Sequence, residues 1–83
     1  MHEFSIVQAM FEQIDRIVED HDARSVRRVR VALGEFAGVD PTLFTTAYEV
    51  FRINTVCADA PLQIERVPGT DDLLLEQLEL EVP

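Results

Sequence analysis

Residues 24–34 read Arg24-Ser25-Val26-Arg27-Arg28-Val29-Arg30-Val31-Ala32-Leu33-Gly34. Val29, Val31 and Leu33 alternate with Arg28, Arg30 and Ala32. A period of two in β-branched residues predicts a half-buried strand, apolar on one side and charged on the other. Val26 is out of phase with the later valines, which predicts a straightening or a bulge just after it. The rest of the fold is read outward from this strand.

Before it, Ser5 to Asp20 has helical spacing. Val7, Met10, Ile14, Ile17 and Val18 recur at intervals of three and four, flanked by Ile6 and Phe11. Such a stripe faces a core. Ser5 and Gln8 have the spacing of a capping box, with Phe4 placed as a hydrophobic staple. The helix is expected to fray near His21–Ala23. After the strand, residues 35–39 form a loop. Asp40-Pro41 then supplies a cap acceptor followed by proline at the first helical position. That helix buries Phe44, Ala47, Tyr48 and Phe51 and ends near Asn54. A second strand covers Leu62–Val67 with Leu62 and Ile64 inward. Residues 67–71 make a turn around Pro68-Gly69. A last strand runs from Asp72 to Val82, with Leu74, Leu78, Leu80 and Val82 in one phase.

The order is therefore α-β-α-β-β, an α+β fold with two helices on one face of a small mixed three-stranded sheet. Charge predicts which strands touch. The first strand carries Arg24, Arg27, Arg28 and Arg30, and the last carries Glu76, Glu79 and Glu81. Opposite charges across neighbouring strands contribute roughly 0.2–1 kcal/mol per pair, so these two should be adjacent on the solvated face.

At 83 residues the chain suits one domain with a lean core. Seven arginines, no lysine and sixteen acidic residues leave a net charge of −9. That balance argues against nucleic acid and anionic membrane as partners. No run is apolar enough to span a bilayer, no secretory signal is read, and a single cysteine excludes an internal disulfide. A cytoplasmic protein is expected.

The chemistry lies at the amino terminus, Met1-His2-Glu3. An α-amine, the backbone nitrogen of residue 2 and the imidazole Nδ1 of His2 can close adjoining chelate rings around a metal. Nitrogen donors in one plane suit Ni(II) and Cu(II). Alone the motif is weak, because histidine second in a chain is common. In combination it is specific. Met1-His2-Glu3-Phe4-Ser5 followed by the first helix, Val29-Arg30-Val31-Ala32-Leu33-Gly34-Glu35, Val39-Asp40-Pro41 with Phe44, Leu62-Gln63-Ile64-Glu65, and the stretch from Asp72 to Glu81 together resemble the HypA/HybF family. Its members are nickel metallochaperones for maturation of nickel–iron hydrogenase.

The resemblance implies a non-enzymatic Ni(II) carrier. Met1 would supply the α-amine, His2 its backbone nitrogen and imidazole, and Glu3 a further backbone nitrogen with its carboxylate close by. Asp40 would lie beside the site and orient His2; read from its own context it is a helix cap. The implied partners are the HypB GTPase and the hydrogenase large-subunit precursor. One departure is large. The family carries a zinc domain with two Cys-x-x-Cys pairs between its last two strands, and here the chain passes from Arg66-Val67-Pro68 through Gly69-Thr70 into the last strand. Residues 1–83 thus look like a single nickel-binding domain whose zinc domain is absent at about 67–71, by design or by natural loss, and no zinc is expected. A closed monomer is preferred over a dimer that exchanges the last strand. The competing reading is a structural or interaction module with vestigial metal binding. His21 reads as a helix-end cation, Cys57 as a partly buried thiol, and Asp71-Asp72 as turn residues.

Overall fold

The computed structural model describes residues 3–83. The elements are α1 (Glu3–Asp20), β1 (Ser25–Gly34), α2 (Pro41–Phe51), β2 (Leu62–Val67) and β3 (Leu73–Glu81). This is the expected α-β-α-β-β order. The sheet order is β2-β1-β3, with β1 central, parallel to β2 and antiparallel to β3. Parallel strands need a crossover, and α2 supplies it between β1 and β2. Both helices cover one face. Val7, Phe11, Ile14 and Val18 of α1 meet Val26, Val29 and Val31 of β1 and Phe44, Ala47 and Tyr48 of α2 in one core. Each fully buried large side chain there contributes about 1.5–3 kcal/mol.

The other face is charged, as expected. Arg24 pairs with Glu81 at 3.9 Å, Arg28 with Glu79 at 3.6 Å, and Arg30 with both Glu76 at 2.9 Å and Glu65 at 2.8 Å. The pairs are solvent-exposed, so they select register more than they stabilise.

Two bulges set the phase of the strands. Val26 faces Leu80 and Arg28 faces Glu79, so Arg27 is the extra residue on β1. This is the irregularity that the misplaced Val26 predicts, and it puts both Val26 and Val29 in the core. A second shift lies between Arg30 and Val31, whose partners are Gln77 and Leu75, making Glu76 the extra residue on β3. It overturns part of the reading of the last strand. Leu78 and Leu80 face inward, but before the bulge the phase flips. Leu73 and Leu75 pack on the core while Leu74 is 55% exposed beside Ala32, and Val82 is 59% exposed beyond the strand end.

The helix ends also differ from expectation. Helix α1 is already formed at Glu3, so Ser5 and Gln8 lie inside it rather than at a capping box. Phe4 packs its ring edge-on to Phe51, 5.6 Å between centroids, instead of stapling a cap. At the other end the chain does not fray. Ala23 N–H bonds the Val18 carbonyl at 2.9 Å and Asp22 N–H the Glu19 carbonyl at 3.1 Å, with Asp22 at φ 50°. That is a Schellman termination. Helix α2 stops at Phe51 with Arg52 as C-cap, short of Asn54.

The 67–72 connection is stitched to the end of β1. Glu35 N–H bonds Val67 O, Phe36 N–H bonds Thr70 O and Gly34 N–H bonds Asp72 O, each at 2.8 Å. Gly69 N–H adds a bond to the Glu35 carboxylate at 3.0 Å. Gly69 turns the chain at φ 77°, which a side chain would strain. Through this turn β3 pairs with β1 of its own chain.

Candidate functional site

Met1 and His2, two of the residues assigned to the metal, lie outside the described residues. Glu3 is the first described residue, and it stands against the start of α2. Its carboxylate accepts the backbone N–H of Asp40 at 3.2 Å. That donated hydrogen bond holds the Glu3 carboxyl below its ordinary range, because it favours the charged form. Glu3 and Asp40 are 37 positions apart, and the packing of α1 on α2 brings them together.

Asp40 does what its position before Pro41 predicts. Its Oδ1 accepts the N–H groups of Thr42 at 2.8 Å and Leu43 at 3.1 Å, capping α2. Both of these bonds end on Oδ1. The cap fixes the carboxylate at the α1–α2 junction, and the Asp40 backbone in turn holds Glu3. This double use of Asp40, side chain toward α2 and N–H toward α1, is not legible in sequence.

The remaining singled-out residues are structural. His21 Nδ1 donates to the Ile17 carbonyl at 2.9 Å at the end of α1. Among the described residues, no three His, Cys, Asp or Glu side chains are grouped to hold a metal. Cys57 is completely buried, more so than expected, and burial pushes its thiol up to about 11. The Tyr48 hydroxyl donates to the Ala60 carbonyl at 2.7 Å, and the same carbonyl accepts from Arg52 at 3.1 Å. Desolvation drives the Tyr48 phenol upward as well. These groups lock the chain between α2 and β2.

Residues 1–71 match the family model described as HypA, hydrogenase/urease nickel incorporation, metallochaperone. The chain belongs to the HypA family. The family is one of metal carriers, not of enzymes. A curated relative, hydrogenase maturation factor HypA of Wolinella succinogenes, is 46% identical over 68 residues, which is 82% of this chain and 57% of the relative. The chain thus spans little more than half the length of the curated HypA proteins it matches. In three dimensions it is similar to a solution structure of the Ni metallochaperone HypA from Helicobacter pylori, with a TM-score of 0.90 and 24% identity over the whole of both chains. A second solution structure of a HypA protein has a TM-score of 0.70 and 28% identity, covering 93% of this chain and 71% of the other. The HypA family match ends at Asp71, two residues before β3 begins at Leu73, whereas the fold match continues through β3. No helix among the described residues is long and apolar enough to cross a membrane.

Proposed function

We propose that this HypA-family chain takes up one Ni(II) at Met1-His2-Glu3 and passes it on for maturation of nickel–iron hydrogenase. The α-amine of Met1 with the backbone nitrogen and Nδ1 of His2 would close two adjoining chelate rings in one plane, which Ni(II) favours, and Glu3 would stand beside them to complete the site. Asp40 Oδ2 orients the His2 ring, as hydrogen-bonded carboxylates do beside metal-binding imidazoles. The observation that carries this reading is the Glu3–Asp40 hydrogen bond. It brings the start of α1, next in sequence to His2, onto the cap of α2.

The donors sit at a chain end and can be exchanged one at a time, which suits delivery rather than storage. The receivers are the HypB GTPase and the hydrogenase large-subunit precursor. Residues 1–83 act as a single nickel-binding domain, working as a monomer closed by the Gly69 turn. That turn stands where the family's zinc domain would be inserted, and with one cysteine the chain needs no zinc to fold.

Untagged protein titrated calorimetrically with Ni(II) should bind one ion and show the absorption of planar, diamagnetic nickel. His2→Ala, or acetylation of the α-amine, should abolish that binding and leave the thermal melt within about 0.5 kcal/mol of the parent. Unchanged nickel affinity in His2→Ala would refute the site.

A further inference from the structure

Helix α2 is apolar on two sides. Phe44, Ala47 and Tyr48 are buried in the core. Leu43 and Val50 lie two turns apart on the other side, and Ile53 follows just past the helix end; they are 55%, 54% and 66% exposed. Phe4 joins them from the first turn of α1 at 51%. A helix at a protein surface ordinarily turns polar residues outward. Between Phe4 and α2 runs an open groove of about 250 Å³, lined by Glu3, Phe4, Leu43, Thr46, Ala47 and Val50.

Shape and charge together select what this groove holds. Leu43 to Val50 spans about 10 Å along the helix axis. That is the reach of apolar anchors at i, i+4 and i+7 on a partner helix. The groove is acidic at one end, where Glu3 lines it and Asp40 adjoins Glu3. Arg52, which follows α2, has its guanidinium committed to Glu49 at 2.8 Å and to the carbonyls of Ala58 and Ala60. A second copy of this chain would bring another net charge of −9 to the same place. We propose that the groove docks an amphipathic helix of a partner protein whose apolar stripe is flanked by Arg and Lys. The proposal rests on the nickel reading in one respect: the Glu3 end of the groove is where that reading puts the metal, so the docked helix belongs to a nickel donor or acceptor.

Docking can be tested without nickel. Two synthetic helical peptides carry the same leucine stripe, one flanked by arginine and the other by glutamate, and fluorescence anisotropy follows binding in the presence of chelator. The arginine-flanked peptide should bind, more weakly as salt is raised, and the glutamate-flanked peptide about tenfold less tightly or worse. The double variant Leu43→Ser/Val50→Ser keeps every charge and should lose about tenfold in affinity for the arginine-flanked peptide. Equal binding of the two peptides, or undiminished binding by the double variant, overturns the proposal. Self-association that the double variant abolishes in sedimentation would assign the groove to a second copy and overturn it too. A nickel titration of the same proteins separates the two readings: parent protein that binds peptide but no nickel refutes the metal site alone, and a variant that loses peptide but keeps nickel supports docking as a separate function.

Discussion

Gly34 is the point where the last strand returns to its sheet, and replacing it with alanine probes that return. A Cβ at this position would sit 2.4 Å from Thr70 O, 2.8 Å from Asp72 O and 2.9 Å from Thr70 C, where ordinary contact begins at 3.4 Å. All three are backbone atoms, so no side chain can swing aside. The 70–72 segment must retreat by roughly 1 Å, and it is held by the Gly34–Asp72 and Phe36–Thr70 hydrogen bonds. Overpacking of this kind costs about 1–3 kcal/mol, and weakening one or two of those bonds adds about 0.5–1.5 kcal/mol each. Against this, alanine lowers the entropy of the unfolded chain, worth about 0.4–1 kcal/mol. The net expectation is a loss of roughly 2–3 kcal/mol. With a urea m-value near 1 kcal/mol/M, the unfolding midpoint should fall by about 2–3 M. Gly38→Ala is the control. Gly38 has φ 72° and nothing within 4 Å of its added Cβ, so it carries only the left-handed backbone penalty and should lose less. Hydrogen exchange should locate the Gly34→Ala damage at the amides of residues 34–36. A Gly34→Ala midpoint equal to or above that of the parent would refute the reasoning.

Two substitutions at Asp40 and a pH series on the buried Cys57 probe the α1–α2 junction and the core. Asp40→Ala removes the α2 cap and should cost about 1 kcal/mol in a thermal melt; Asp40→Asn caps equally well and should keep stability, so a drop in nickel affinity in Asp40→Asn would support the proposed place of the carboxylate beside the metal. The Cys57 thiol, pushed from 9.0 to about 11 by burial, should react with iodoacetamide at pH 8 far more slowly in native protein than in urea. Because its folded value is the higher one, the native state holds this proton longer than the unfolded chain. Its stabilising contribution is therefore full below about pH 9 and is lost as pH rises through about 11. A urea midpoint that rises over that interval in the parent relative to Cys57→Ala would contradict the assignment.

Much of the molecule is local in origin, and that part is legible in sequence. The alternation of Val29, Val31 and Leu33 is enough to make β1 a half-buried strand, and the displaced Val26 foretells the bulge at Arg27. Asp40-Pro41 makes the start of α2, because a cap bond joins residues two and three apart. Opposite charge on β1 and β3 makes them neighbours. The stretch Met1-His2-Glu3, proposed to hold the metal, lies within three consecutive residues and is read without the fold. Other features depend on two segments meeting. The phase of β3 hangs on the bulge at Glu76, which the pairing of two strands creates, so Leu74 faces out although its own neighbours do not say so. Gly34 is demanded by carbonyls of residues 70 and 72 crossing over it. Glu3 reaches Asp40 only because α1 packs along α2, and the same packing leaves Phe4, Leu43 and Val50 together on an uncovered side. Periodicity and capping are fixed by bonds between near neighbours along the chain, whereas register, close backbone approach and the α1–α2 junction come from contacts that exist only once the helices and strands have packed.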